Sequence, residues 1–183
     1  MGLRQTALLV VVAGGLAAGV WWTGRTDDSP TDDGVDVTTT GQRRLLAAES
    51  LWIRNAPTAQ PIQFERRGRE WYVVEPVEDL AAKAALEQLV APFDQTRLQR
   101  AYDPSELTDE VLRQTGLAEP RATLRAEFEG GKKLVIELGA EDPLQRGIFV
   151  RRDGDVFLGT PGMLSAMQGN VDDFRERRML RNV

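Results

Sequence analysis

The chain contains neither cysteine nor histidine, and the two absences remove much familiar chemistry at once. Without cysteine there is no disulfide, no thiolate metal ligand, no lipid-modified thiol and no thiol nucleophile. Without histidine the usual general base at neutral pH and the commonest metal ligand are gone. Serine–histidine–aspartate triads and zinc sites of the usual kinds are therefore excluded. A concentration of positive charge is also missing: the net charge is −5 and the pI about 4.9. The arginines come as dispersed doublets and form no single basic face, which argues against a nucleic-acid partner. No catalytic residue, cofactor or metal ligand is assigned, and the expectation is a protein that is not an enzyme.

What is present begins with one apolar run, ALLVVVAGGLAAGVWW at 7–22. As a helix, residues 7–23 reach about 26 Å at about 1.5 Å per residue, close to the ~30 Å of a bilayer's hydrocarbon core. Leu8, Leu9, Val12, Leu16 and Val20 carry the insertion energy, and Trp21 and Trp22 suit the headgroup level. Residues 1–24 are read as an N-terminal membrane anchor. A cleavable leader would find small residues at 15–19, but the bulky residues at 20–22 directly afterwards favour retention. The Gly2 and Thr6 match to a myristoylation pattern is short and is discounted. Gly15 and Gly19 have the small-xxx-small spacing of a helix-packing stripe. Arg4 on one side and Arg25 on the other barely set the orientation, and a long C-terminal domain translocates largely regardless of its charge, so the domain is placed outside.

Residues 25–44 carry five Asp residues and little that can be buried, and they read as an acidic flexible linker. The Asp doublets lack the alternating ligands and closing Glu of a calcium loop. Residues 45–183 then suffice for one α+β domain. Strands are predicted at 51–54, 62–66 and 71–75, separated by Pro57, Pro61 and the turn at 67–70. A helix is predicted from Asp79 as N-cap to about Ala91, with Leu86, Leu89, Val90 and Phe93 on one stripe and Pro92 at the exit. After a strand at 96–101, Thr108 should cap a short helix ending at Gly116, where Leu112 and Leu117 stand at the touching positions of a Schellman ending.

Alternation over 124–128 and 132–139 predicts a hairpin with a two-residue turn at Gly130 and Gly131. Lys132 and Lys133 after those glycines do not make a phosphate loop, since the earlier glycine and the closing Ser or Thr are absent. A second hairpin is predicted at 147–152 and 156–159 around Asp153 and Gly154, followed by a helix over 162–167. The order hairpin, proline, helix occurs at 62–92 and again at 147–168, so two related hairpin-plus-helix lobes are expected.

Candidate sites are few. Glu75, Glu78 and Asp79 crowd together, but a strand end followed by a helix cap explains them better than acid–base chemistry. Arg66, Arg151, Arg177 and Arg178 are candidates for a partner surface, although adjacent strand residues face opposite ways and at most half of each doublet can share it.

Several motifs in order, GREWYVVEPV at 68–77, TGLAEP at 115–120, LGAEDPL at 138–144 leading into GIFVRR at 147–152, and FRERRML at 174–180, resemble the bacterial domain of unknown function 4340 over about residues 45–183. Thr115 stands where such domains often carry an aromatic residue. The resemblance implies a single-pass protein of the bacterial inner membrane with a periplasmic domain, some relatives being associated with gliding-type ABC transport systems, and it supplies no catalytic residue. A binding or assembly module of an envelope complex is the expected function. The alternatives are a small-ligand binder or carboxylate-based enzyme with a site between the lobes, and a structural component of a secretion or pilus machine.

Overall fold

The structure, a computed structural model, describes residues 34–36 and 44–176. The proposed anchor with Leu8, Leu9, Val12, Gly15, Leu16, Gly19, Val20, Trp21 and Trp22, most of the linker, and Arg177 and Arg178 lie outside the described residues. Among the described residues no helix is long and apolar enough to cross a membrane.

The fold is α+β and mostly antiparallel sheet. Ten strands, β1 (Gly34–Asp36), β2 (Ser50–Arg54), β3 (Ile62–Arg67), β4 (Glu70–Glu75), β5 (Asp79–Leu80), β6 (Arg97–Arg100), β7 (Ala122–Phe128), β8 (Lys132–Glu141), β9 (Ile148–Arg152) and β10 (Asp155–Gly159), form one sheet. Their order is β1-β6-β10-β9-β8-β7-β2-β3-β4-β5, every neighbour antiparallel. The helices are α1 (Lys83–Gln95), α2 (Asp109–Gln114) and α3 (Gly162–Ala166).

Alternation decides which face each strand buries. Leu51 and Ile53 of β2, Phe64 of β3, Trp71 and Val73 of β4, Leu124 and Ala126 of β7, and Ile136 and Leu138 of β8 all point to one side. There α1, through Leu86, Leu89, Val90 and Phe93, and α3, through Met163, complete the main core. On the other side a smaller cluster forms over β9 and β10, where Leu117, Leu112, Leu107 and Tyr102 cover Phe149, Val156 and Leu158.

The Schellman ending is present as expected: Leu117 N–H donates to the Leu112 carbonyl at 2.8 Å and Gly116 N–H to that of Arg113 at 3.1 Å. Gly116 takes the left-handed φ of +69° that this ending requires. Thr108 caps α2, accepting from Val111 N–H at 3.3 Å. Thr115 is buried and donates its hydroxyl to the Val111 carbonyl at 2.8 Å. Gly139 lets this segment lie against β8, because a Cβ there would fall on the Thr115 carbonyl oxygen.

Several expectations need correcting. Asp79 is not a helix cap: it pairs with Val73 in β5, and α1 begins behind Ala82 with no side-chain cap. Pairing Asp79 and Leu80 with β4 outweighs the local capping preference. Pro92 lies inside α1, in its last turn, where a missing N–H costs one bond and Phe93 can still be buried. Phe128 pairs with Lys132, so the β7–β8 loop has a third residue, Glu129. Within the stretch read as linker, Gly34–Asp36 pairs with Arg97–Gln99 at one edge of the sheet.

The two helix crossings run in opposite senses. The chain leaves β5 through α1 and returns as β6 beside β10, at the far end of the sheet. From β10 it leaves through α3 and returns at Arg175, which bridges to Ala81 next to β5.

Candidate functional site

Because the 101–118 segment covers β9, β10 and the end of β8 on the second face, most alternate residues of β2, β3, β4 and β7 and those at the start of β8 stay exposed or half-buried, Thr123 being buried. Register arranges them in rows. One row runs Tyr72, Glu65, Ser50, Glu127, Lys133; the next holds Gln63, Trp52, Arg125, Val135; a third holds Arg54, Thr123, Glu137, Arg151.

Trp52 occupies the centre. Arg125, directly opposite on β7, places its guanidinium carbon 4.5 Å from the indole centroid, and Arg54, two residues along β2, places its own at 5.6 Å. Both lie within cation–π range. Around this cluster the charges are paired. Arg67 reaches Glu78 at 2.7 Å and Glu65 at 3.4 Å, Lys133 lies 4.0 Å from Glu127, and Arg151 contacts Glu137 at 2.5 Å. The hydrogen bond to Glu78 raises the Arg67 pKa further above its ordinary value. Among the described residues neither Arg54 nor Arg125 has a carboxylate partner.

The arginines proposed from sequence are not brought together. Arg66 points to the core side, where its Nε donates to the Ala48 carbonyl at 2.9 Å. Arg151 lies on the opposite face, tied to Glu137. Their doublet neighbours diverge accordingly: Arg67 is exposed on the open face, and Arg152 is buried at the end of β9 with Asp153 at 3.3 Å from its Nε. The candidate acids separate too, Glu78 to Arg67 and Asp79 to Arg175 at 2.8 Å. The apolar triplet Leu51, Trp52 and Ile53 hides the role of Trp52 in the sequence; its position between Leu51 and Ile53 on a strand is the signal that it faces the other way.

Two of the concavities bring apolar and charged groups together. A groove of about 590 Å³ beside β4 and the start of α1 has an apolar lining that includes Leu46, Trp71, Leu80 and Leu86, with Arg66, Arg69 and Lys83 at its rim. A pocket of about 450 Å³ brings Tyr102 and Phe149 beside Asp142 and Arg146. In that pocket Arg146 Nε donates to Asp142 at 2.7 Å and the Arg146 backbone N–H at 3.3 Å. Those bonds hold the Asp142 carboxyl below the usual carboxylate range and fasten the loop between β8 and β9. Among the described residues no three acidic side chains cluster as a metal site.

No protein-family model, curated protein or solved structure matches this chain.

Proposed function

We propose that the chain is a non-catalytic, single-pass protein of the bacterial inner membrane whose periplasmic α+β domain binds a protein partner in an envelope complex, with an ABC-type transport system as the candidate neighbour. The observation that carries this reading is the uncovered face of β2, β3, β4, β7 and β8 with Trp52 at its centre between two arginines. Tryptophan and arginine are among the residues that dominate binding energy at protein interfaces, and Trp52, Arg54 and Arg125 meet here on paired strands. The apolar run at 7–22 and the acidic stretch behind it supply the anchor and tether, and membership of the family named above is part of the same proposal.

The test is affinity purification of the full chain from detergent-solubilised membranes through a C-terminal tag, beside the Trp52→Ala variant. A stoichiometric partner recovered with the parent and lost with the variant is the expected result. Recovery of no stable partner, together with turnover of a small molecule by the purified chain, would overturn the reading. Protease added to intact spheroplasts should digest the domain, and full protection would reverse the orientation.

The proposal extends to how the sheet is built, as two related units, β3–β4–α1 and β9–β10–α3, each sending the segment that follows it to pair beside the other. The opposed crossings of α1 and α3 support this. Similar angles between each helix and its hairpin are required, and unrelated angles would end the idea.

A further inference from the structure

We infer that Arg54 and Arg125, held over Trp52, form the docking point for a pair of carboxylates on an acidic segment of a protein partner. The inference rests on the binding-module reading and names the chemistry of its contact.

The argument is one of uncompensated charge. The ion pairs on this face join Glu78 and Glu65 to Arg67, Glu127 to Lys133 and Glu137 to Arg151, and none of them uses Arg54 or Arg125. The two guanidinium groups at the centre are left over in a chain whose net charge is −5. Both guanidinium carbons lie within cation–π range of the same indole, and among the described residues neither group spends its N–H donors on a carboxylate. Guanidinium edges fit carboxylates as two-pronged pairs, so what completes this site is a group of that geometry and sign.

The surroundings choose among carboxylate carriers. Glu65 and Glu127 lie in the adjacent row, and they repel a uniform polyanion such as nucleic acid or an acidic polysaccharide. A sugar would also have to stack where the guanidinium groups already sit. A protein segment with alternating acidic and neutral or basic residues meets both conditions, placing carboxylates on Arg54 and Arg125 and leaving Glu65 and Glu127 unopposed by like charge.

The test uses the full chain in detergent micelles and reads the Trp52 indole N–H by NMR, assigned with Trp52→Phe and with Trp71 as internal reference. The probe is the peptide acetyl-KTETETK-amide, with acetyl-KTQTQTK-amide and polygalacturonate as comparisons. The glutamate peptide should shift Trp52 and spare Trp71, with about millimolar affinity that weakens in salt. The Arg54→Gln/Arg125→Gln variant should bind about tenfold more weakly or not at all, whereas Arg69→Gln/Lys83→Gln, with the same charge change, should bind as the parent does. The inference is overturned if the glutamine peptide shifts Trp52 equally, if polygalacturonate acts at lower carboxylate concentration, if the two double variants weaken binding alike, or if Trp52 does not respond. A partner that still co-purifies with Arg54→Gln/Arg125→Gln would leave the binding-module reading standing and move its interface elsewhere; absence of any partner would sink that reading instead.

Discussion

Strands β2 and β7 present two different surfaces from alternate residues of the same backbone. On one side Leu51, Ile53, Leu124 and Ala126 lie at or below 1% exposure under α1 and α3. On the other, Trp52, Arg54 and Arg125 meet as an uncovered aromatic and cationic cluster. Burial stabilises the first surface by about 25 cal/mol for each Å² of apolar area removed from water. The second side gains only cation–π contacts and exposed ion pairs, each of which contributes about 1 kcal/mol or less. The difference separates residues that make the sheet from residues the sheet displays. Substitutions on the two sides should therefore behave in opposite ways.

The largest expected effect lies in the covered core. Phe64 is fully buried and meets Phe174 edge to face at 5.4 Å. Phe64→Ala should cost about 3–5 kcal/mol, read as a lowered denaturation midpoint, because the site cannot collapse around the lost ring. A change under about 1 kcal/mol would mean that the core side is not close-packed there. Next comes Gly139→Ala, expected to cost about 1–3 kcal/mol, since the added methyl meets the Thr115 carbonyl and must push the end of α2 off β8. Unchanged hydrogen-exchange protection at Ala140 in that variant would contradict the close approach.

Much of the covered side was legible in the sequence, and the reason is locality. Alternation over 124–128 and 132–139 already sorted residues into two sets, and Thr108, Leu112, Gly116 and Leu117 spelled out a helix with both ends. Partners distant in the chain were not legible. Nothing local places β6 beside β10, or β2 beside β7, yet the second of these pairings sets Arg125 opposite Trp52. The two-residue β5 was missed for the same reason: its pairing to β4 and the bridge from Ala81 to Arg175 hold it, while Asp79 followed by an alanine-rich stretch reads locally as a helix start. The doublet rule held for direction, and Arg66 and Arg151 then proved to occupy opposite faces.

Asp142 offers a smaller, pH-dependent effect away from both sides of that comparison. Arg146 holds its carboxyl below the usual carboxylate range, so the ionised form favours the folded chain. The stabilisation is complete above the unfolded carboxylate value of about 4 and is lost as pH falls through the lower folded value. Asp142→Asn should therefore melt earlier than the parent at neutral pH, and the two curves should converge under strongly acid conditions. A gap that widens on acidification would show that the Arg146 contact is not its origin.

The smallest change in stability is expected where the proposed function is concentrated. Arg125 is exposed, has no carboxylate partner among the described residues and rests on Trp52 at 4.5 Å. Arg125→Gln removes one cation–π contact, so its stability should stay within about 1 kcal/mol of the parent. The same substitution takes one of two guanidinium forks from the centre of the open face, and capture of the partner should drop. Measuring both quantities on one variant sharpens the comparison further than either alone. If the loss of stability approached that of Phe64→Ala, Arg125 would belong with the residues that make the sheet, and the separation between the two sides would fail at its centre.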